Sequence, residues 1–359
     1  MNLLFATGHA ALPQEVGGIQ VGLHELCSNL KRRGHKVAIL AKLRKHGYFG
    51  LKQRVHAKVN SIIDGNYLAR DDTMGYPVWR TWFPDRLLGQ IIEEQQPDVV
   101  GIFSADAVPI ARAAQCAGKP FLMYFQDLWY EGLGGDLSEF LGSTCVANSR
   151  FTANAYFSKF GTLCHVIHPL IDPSRYRVES ERKYAIFVNP VPPKGLHVAK
   201  ALAKELPAIP FKFVEAWTLK PKDRRQLLDS LAAIENVQLC GPYKDMREIY
   251  RNARIVVVPS QYDEAYGRVA FEPQLSGVPV IASNWGGLPE AVGPGGVLVD
   301  RHAPAEVWAS VLGELWNNQG KYDACVSAAR LHAEAEYNQM EFKLRRWECL
   351  FGRAADSTH

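Results

Sequence analysis

Short apolar runs alternate with longer amphipathic segments along most of this chain. In the first half, the runs that predict strands are residues 3–6, 37–40, 98–102, 121–124 and 144–147. In the second half, they are residues 184–188, 211–214, 237–239, 255–258 and 278–282. Continuous apolar strands separated by helices are typical of parallel sheets covered on both faces. The pattern therefore predicts an α/β fold of doubly wound, Rossmann-like sheets.

The order of these segments predicts two domains, and a length of 359 residues is typical of that number. Residues 169–183 hold two prolines and many charges, which suits a linker. We therefore predict a first domain at residues 1–168 and a second at residues 169–340. A helix is expected from residue 17 to about residue 33, ending before Gly34. Helical spacing of aromatic and leucine positions predicts two final helices, at residues 305–317 and 321–351.

Composition narrows the class of protein only slightly. A net charge of +4 is too small to indicate a nucleic-acid partner. The seven cysteines form no close Cys-x-x-Cys pair, so we expect free thiols rather than a disulfide framework or a zinc site. No apolar run approaches the roughly 20 residues of a membrane span, and no cleavage-type segment follows Met1. We therefore expect a soluble, cytoplasmic protein.

One local cluster of charge lies within residues 42–58. No acidic residue occurs between positions 42 and 63, and the basic residues of the run are Lys42, Arg44, Lys45, Lys52, Arg54 and Lys58. A solvated basic face is the ordinary interpretation of such a run. The alternative is a dock for an anionic acceptor or for a lipid surface. Peripheral membrane contact through residues 42–58 is therefore kept as a hypothesis.

The strongest local pattern begins at Glu264. This carboxylate and that of Glu272 lie eight positions apart around Gly267, and an apolar strand at residues 278–282 follows. The sequence Trp-Gly-Gly-Leu-Pro-Glu comes next, at residues 285–290. This whole segment resembles the donor-binding signature of the retaining glycosyltransferases of family four. The resemblance implies the GT-B fold, in which two Rossmann-like domains face a central cleft that holds the ligands.

The resemblance also implies roles for particular residues. Glu264 would hold the transferring sugar, Gly267 would let the backbone approach phosphate, and Glu272 would accept hydrogen bonds from the ribose. Lys194 lies in a Pro-x-Lys-Gly turn, which in the family stabilises the departing diphosphate. The implied catalytic set is Glu264, Lys194 and Arg268. The implied donor-binding set is Gly17, Gly18, Asn189, Gly241, Tyr243, Tyr266, Gly267, Val269 and Glu272.

Two positions depart from the family pattern. The family usually has an arginine five residues before the lysine, where this chain has Asn189. Arg268 is the candidate to replace that missing cation. Many members have a histidine at the position of Gln126, whose amide can bond a sugar hydroxyl but does not titrate.

Each assignment has an ordinary structural alternative. The two glutamates could be surface acids on a helix, the paired glycines could simply open a helix, and Tyr243 could only be packed. Four residues are assigned more weakly to a sugar or acceptor pocket, because Asp127 could be a helix N-cap and Arg150 could merely follow the N-cap Ser149. This weaker set is Gln126, Asp127, Arg150 and Trp285.

The predicted function is a retaining glycosyltransferase that moves a sugar from a UDP- or GDP-sugar to a hydroxyl group in glycan or glycoconjugate synthesis. The acceptor could be a carbohydrate, a lipid-linked molecule or a small molecule. The sequence has no Asp-x-Asp pair, so we expect neither a metal nor another cofactor. In the family the last helix crosses back to the first domain, which is predicted for residues 341–359. A sugar-nucleotide epimerase and a non-catalytic sugar-nucleotide-binding protein remain the alternatives.

Overall fold

The computed structural model describes residues 1–44, 47–63, 65, 67–216, 219–243 and 245–356. The chain divides into two compact units. The first consists of residues 1–170 and 340–359, and the second of residues 171–339. Each unit has its own sheet, with an apolar core on each of its two faces.

Eight strands form the sheet of the first unit over the described residues, in the order β3-β4-β2-β1-β5-β6-β7-β8. In chain order these are β1 (Asn2–Thr7), β2 (Lys36–Lys42), β3 (Leu68–Asp71), β4 (Val78–Thr81), β5 (Val99–Phe103), β6 (Phe121–Phe125), β7 (Thr144–Ala147) and β8 (Cys164–Val166). Neighbouring strands are parallel except that β3 runs antiparallel to β4. The central strand β1 places Phe5 opposite Ile39 of β2 and Gly101 of β5.

Six strands form the sheet of the second unit over the residues described there, in the order β11-β10-β9-β12-β13-β14. They are β9 (Tyr184–Val188), β10 (Phe211–Val214), β11 (Val237–Cys240), β12 (Ala253–Val258), β13 (Val280–Ser283) and β14 (Gly296–Val299). All of their pairings are parallel. The prediction of two doubly wound α/β sheets is therefore confirmed.

Helices connect the strands in both units. They are α1 (Gly18–Arg32), α2 (Gly47–Ile63), α3 (Pro84–Gln95), α4 (Ala107–Cys116), α5 (Arg150–Phe160), α6 (Leu196–Glu205), α7 (Pro221–Leu231), α8 (Met246–Tyr250), α9 (Arg268–Phe271), α10 (Leu288–Val292), α11 (Ala305–Asn317), α12 (Gln319–Asn338) and α13 (Met340–Asp356). Short 3₁₀ segments are Tyr130–Leu133, Leu137–Phe140, Pro173–Arg175, Pro192–Lys194, Glu272–Ser276 and Gly293–Gly295.

Both faces of each sheet are buried, because successive side chains of a strand point to opposite faces. In β1, Leu3 and Phe5 pack in one core with α1 and α13, while Leu4 and Ala6 pack in another core with α3 and α4. Strand β9 is divided in the same way between two cores of the second unit. This double burial explains why the central strands read as continuous apolar runs in the sequence.

The end of the chain departs from its prediction. One helix was expected over residues 321–351, but α12 ends at Asn338 and α13 begins at Met340. Helix α12 buries Ala333 and α13 buries Leu344, and these positions are eleven residues apart, which is close to three full helical turns. The apolar pattern therefore continues in phase across the break, so periodicity does not reveal it.

Helix α13 packs on the sheet of the first unit. The Trp347 ring meets Tyr124 edge-on with the ring centres 4.9 Å apart, and Phe351 meets Phe5 at 5.8 Å. Arg33, just after α1, binds Glu341 and Glu348 of α13. The hydrogen bonds from Arg33 lower the pKa of the Glu348 carboxyl to about 2. Aromatic packing and charge therefore both fix α13 to the first unit.

The segment at residues 169–183 is not an exposed linker. Ile171 and Tyr176 are buried in a core of the second unit. The Val178 N–H donates to the Ser276 hydroxyl at 3.0 Å, and the same hydroxyl donates to the Tyr176 carbonyl. Prolines and charges suggested a linker, but the apolar residues between them anchor the segment.

We expect Trp347→Ala to lower the free energy of unfolding by about 3–5 kcal/mol, because it removes a large buried side chain from the core of the first unit. Chemical denaturation followed by circular dichroism measures the change. Phe342→Ala, on an exposed position of the same helix, is the matched control and should change stability little. Equal effects of the two substitutions would contradict the packing described for α13.

Candidate functional site

Several of the predicted donor residues gather at the carboxyl edge of the second sheet. The loop after β9 carries Lys194, the loop after β12 carries Glu264, and the loop after β13 carries Gly286 and Gly287. Strands β9, β12 and β13 are neighbours in the sheet, so their loops lie side by side. The edge is where ligands bind in open parallel sheets.

Lys194 and Glu264 form an ion pair at the centre of this edge. The Lys194 Nζ lies 2.5 Å from Glu264 Oε1, and the Ser260 hydroxyl donates to the same oxygen at 2.9 Å. The two charged side chains are only 19% and 14% exposed. The sequence predicted separate contacts for these residues, with diphosphate and with sugar. The structure brings them into direct contact with each other.

Gly195 allows this contact by its backbone conformation. Its φ is +83°, a left-handed value that favours glycine, and a Cβ here would overlap the Pro259 carbonyl oxygen. The Pro193 carbonyl accepts the N–H groups of Gln261 and Tyr262 at 2.9 and 3.1 Å. These bonds fasten the turn that carries Lys194 to the segment just after β12.

Gly286 and Gly287 hold Glu264 from the other side. The Gly287 N–H donates to the Glu264 carbonyl at 2.7 Å. A Cβ on Gly287 would overlap the Ala265 carbonyl oxygen, and Gly286 has a φ of +67°. Gly267 has a φ of +91°, and a Cβ there would overlap the Leu288 side chain. The glycines of the motif therefore let two loops approach each other closely and fix the position of Glu264.

Glu272 lies in a second group of polar side chains. Its carboxylate accepts hydrogen bonds from Arg268 Nε at 3.1 Å and from the Tyr250 hydroxyl at 2.9 Å, and it is 7% exposed. Arg268 also donates to the Tyr176 hydroxyl at 2.8 Å. Burial raises the pKa of Tyr250 well above its ordinary value, so this hydroxyl remains a donor to Glu272.

These contacts give Arg268 a local structural role that the sequence did not reveal. Its guanidinium bridges Glu272 and Tyr176, both within the second unit. The sequence-based contact of Arg268 with diphosphate stays a prediction. Tyr176 and Tyr250 were not predicted as site residues, because their positions, 96 and 22 residues before Glu272, carry no local motif.

Asn189 stabilises the main chain at the end of β9. It has a φ of +58°, a conformation that asparagine adopts more readily than most residues. Its Oδ1 accepts the Ala216 N–H at 3.1 Å, and its own N–H donates to the Val214 carbonyl at 2.8 Å. Asn189 thus ties the ends of β9 and β10 together.

The remaining donor residues of the second unit present little side-chain surface. Tyr266 is buried in the core beside Phe271, and Val269 and Tyr243 pack partly against the same core. Gly241 has a φ of +108°, and a Cβ there would lie 2.6 Å from the Glu215 carbonyl oxygen. A ligand that reached Tyr266 in this arrangement would therefore meet backbone rather than the aromatic ring.

Trp285 belongs to a polar cluster with two residues that the sequence did not single out. Its Nε1 donates to Asp263 at 2.5 Å, and the Arg301 guanidinium lies 3.9 Å from its ring centre. Arg301 also binds Asp263 at 3.0 Å. Arg301 is 38 positions from Asp263, so only the tertiary fold brings them together.

The other predicted residues belong to the first unit, and they are Gly17, Gly18, Gln126, Asp127 and Arg150. Gly17 is the N-cap of α1 in extended backbone, and the first turn of α1 has no acidic residue. Arg150 is the exposed first residue of α5. Its neighbour Ser149 accepts the Thr152 N–H at 2.9 Å, which confirms Ser149 as the N-cap.

Asp127, next to Gln126 in the chain, lies beside a histidine that the sequence did not single out. Asp127 Oδ2 is 3.6 Å from His9 Nε2, and Gln126 Nε2 is a buried nitrogen without a hydrogen-bond partner. Asp127 Oδ1 accepts the Trp129 N–H at 3.0 Å and so closes a local turn. The N-cap of the following 3₁₀ segment is Trp129, so the alternative that Asp127 is a helix N-cap is wrong. His9 lies two residues after the end of β1, just as Asp127 lies two residues after the end of β6. This position at the carboxyl end of a strand is the signal that could have identified His9.

Among the described residues, no three His, Cys, Asp or Glu side chains group in a way that could hold a metal ion. None of the helices described has both the length and the apolar character needed to cross a membrane.

The two mostly parallel sheets, with their candidate site at a carboxyl edge, have the GT-B fold of glycosyltransferases. Sequence comparison agrees with this class. The family model of "Glycosyltransferase Family 4" matches residues 16–175, and that of "Glycosyl transferases group 1" matches residues 172–332. The chain therefore belongs to the glycosyltransferases of the family-four type, as the resemblance of its motifs implied.

Individual relatives are similar over different extents. The D-inositol 3-phosphate glycosyltransferase of Corynebacterium kroppenstedtii is 44% identical over 94 residues, which is 26% of this chain and 20% of that protein. The match thus spans about a fifth of the curated relative. HepE of Anabaena, crystallised with UDP and glucose, superposes with a TM-score of 0.76 at 19% identity, covering 98% of this chain and 99% of that one.

A protein with another activity shares the fold. The UDP-GlcNAc 2-epimerase of Neisseria meningitidis, crystallised with UDP-GlcNAc, superposes with a TM-score of 0.60 at 15% identity. The superposition covers 96% of this chain and 100% of that one. At such low identity the likeness concerns the fold alone, and the reaction has to be argued from the site.

We expect Gly195→Ala to destabilise the second unit by more than the roughly 1–2 kcal/mol of a left-handed alanine, because the added Cβ also overlaps the Pro259 carbonyl. Thermal unfolding measures the loss. Gly118→Ala is the matched control, since Gly118 has a φ of +63° and open space around its Cβ position. If the two variants lost equal stability, the close contact at Gly195 would be contradicted.

Proposed function

We propose that this protein is a retaining glycosyltransferase that uses a nucleotide-diphosphate sugar. The observation that carries the proposal is the Lys194–Glu264 ion pair at the carboxyl edge of the second sheet. The matches to glycosyltransferase families support it, since they cover both units. The UDP and glucose in HepE make UDP-glucose the first donor to test, with GDP-sugars as the comparison.

Lys194 is proposed to stabilise the departing diphosphate. A largely buried ammonium strengthens a charge-assisted contact with phosphate oxygens as negative charge develops on them. Its present partner is Glu264, which the diphosphate would displace from Nζ. The Glu264 carboxylate would still be held by the Ser260 hydroxyl, and the Glu264 main chain by its bond to Gly287. The carboxylate would then be available to a sugar hydroxyl.

Glu272 is proposed to bind the ribose of the donor. Its two oxygens each accept one described hydrogen bond, from Arg268 and from Tyr250. A carboxylate offers about four lone-pair sites, and in this proposal ribose hydroxyls would share them with these donors. In this proposal Tyr250 is a positioning residue, because it holds Glu272 rather than touches the reacting atoms. Arg268 also holds Glu272, and its predicted contact with the diphosphate is kept as part of the proposal.

The reaction is proposed to occur on one face of the sugar. The bond between the anomeric carbon and the diphosphate oxygen breaks, and the acceptor oxygen bonds to the anomeric carbon from the same side. The acceptor proton passes to the leaving diphosphate. Lys194 supplies the positive charge that the leaving group needs, so the proposal invokes no metal; turnover should persist when a chelator is added.

The acceptor is proposed to bind the polar cluster of the first unit. His9, Gln126 and Asp127 offer a ring nitrogen, an unpartnered amide and a carboxylate to hydroxyl groups. Because a curated relative is named for D-inositol 3-phosphate, phosphorylated polyols belong in an acceptor screen beside simple sugars and lipid-linked sugars. The exposed Arg150 is the proposed phosphate contact for such an acceptor.

An epimerase is the second candidate, because a UDP-GlcNAc 2-epimerase shares the fold. The two activities can be told apart by their products and by their dependence on an acceptor. Incubation with a UDP-sugar alone would yield an isomeric UDP-sugar from an epimerase. A glycosyltransferase would release UDP in proportion to the acceptor that is added.

We expect Lys194→Ala to lower kcat by roughly 10²–10³, the scale of losing one transition-state charge contact. Release of nucleoside diphosphate from the donor measures it. Lys204→Ala, at an exposed position on the helix that follows Lys194, is the matched control. Full activity of the Lys194 variant would remove the proposed role of this lysine.

We expect Glu272→Gln to raise the KM for the donor more than it lowers kcat, because the ribose contact is made before and during the reaction. The exposed Glu205→Gln is the control for charge removal in the same unit. Thermal melting of each variant shows whether loss of the bond to Arg268 has unfolded the protein. A donor KM equal to that of the unaltered protein would argue against ribose binding at Glu272.

A further inference from the structure

Helix α2 of the first unit exposes apolar side chains along its length. The residues concerned are between 47% and 86% exposed, and they are Tyr48, Leu51, Val55, Val59 and Ile62. Single exposed apolar residues are normal on protein surfaces. Five in one helix of 17 residues form a continuous feature and call for an explanation.

The five side chains lie on one stripe. Their spacings of three, four, four and three residues follow the helical repeat, so at 100° per residue they fall within roughly 80° of arc. The opposite face packs on the protein, where Gly50, Gln53 and Ala57 are buried. A surface helix normally turns its polar face outward. In α2 the outward face is apolar.

Charge flanks the stripe on both sides. The exposed Lys52 and Lys58 project about 60° to either side of its centre, and His56 is exposed next to Lys52. The helix contains no acidic residue. An apolar stripe bordered by cations matches the chemistry of an anionic lipid surface, in which apolar side chains enter the acyl boundary and lysines meet headgroups.

The structure also changes how the basic run is interpreted. Lys42 pairs with Asp106 at 2.7 Å, and Arg44 lies 3.6 Å from Glu15, so both cations have acidic partners within the protein. Lys45 lies outside the described residues. The surface that combines exposed cations with exposed apolar groups is therefore α2 itself, from Gly47 onward.

We propose that α2 lies in the plane of an anionic membrane, with its Tyr48–Ile62 stripe in the headgroup boundary and Lys52 and Lys58 against the lipid phosphates. This binding requires neither a donor nor catalysis, so it stands independently of the proposed reaction. It would bring the enzyme to acceptors that are carried in, or made at, the membrane surface.

The test is sedimentation of the full chain with vesicles of equal parts phosphatidylcholine and phosphatidylglycerol, compared with phosphatidylcholine alone. The stripe variant is Leu51→Ser with Val55→Ser and Val59→Ser. Its matched control is Leu331→Ser with Phe342→Ser, two exposed apolar positions on α12 and α13. A third variant, Lys52→Gln with Lys58→Gln, tests the flanking charge. Thermal melting checks that each variant is folded.

We expect the unaltered chain and the control to bind anionic vesicles, and the stripe variant to bind at least roughly tenfold more weakly. The lysine variant should lose the preference for anionic over neutral vesicles, as should the unaltered chain at high salt. Failure of the unaltered chain to sediment, or equal binding by the stripe variant, overturns the proposal. A concentration-dependent dimer that the stripe variant abolishes, without vesicle binding, would assign the stripe to contact between copies instead.

Discussion

Burial of both faces of each sheet is the constraint on which the rest of this structure depends. Helices cover the two faces of β1 and of β9, so a polar group placed in mid-strand would be dehydrated without a partner. Charged side chains are therefore absent from these two central strands and can lie in the loops at strand ends. The pair at Lys194 and Glu264 and the cluster at His9 and Asp127 both follow this rule, although they belong to different units.

The same burial decides which strands the sequence reveals. Strand β9 was predicted with its observed bounds at residues 184–188, because every side chain in it adds to an apolar run. Strands β3, β4, β8 and β14 were not predicted. Strand β3 lies at the sheet edge and β4 beside it. Each is only four residues long, and they carry Arg70, Asp71 and Arg80, which break the apolar pattern. An edge strand is set by its neighbour rather than by its own composition.

The candidate site, too, could be predicted from the sequence only in part. Glu264, Gly267 and Glu272 belong to one contiguous motif, so they could be identified from the sequence. What each residue touches could not, because the partners come from distant segments. Tyr176 and Tyr250 converge on the Arg268–Glu272 pair, and Asn189 is held by a loop 27 residues away. Periodicity and motifs are local signals, whereas hydrogen bonds across a sheet edge depend on topology.

The ion pair between Lys194 and Glu264 means that this ammonium already has a resident counter-ion. Any anion that approaches Nζ has to displace a carboxylate that the Ser260 hydroxyl holds, on a residue whose main-chain carbonyl is bonded to Gly287. A singly charged ion exchanges one negative partner for another and gains little, while it leaves a dehydrated carboxylate behind. A ligand with several phosphate charges and a hydroxyl for the released carboxylate avoids both penalties. If Lys194 binds the donor diphosphate as proposed, Glu264 would also act as a filter on ligand charge, because it would discriminate against small, singly charged anions.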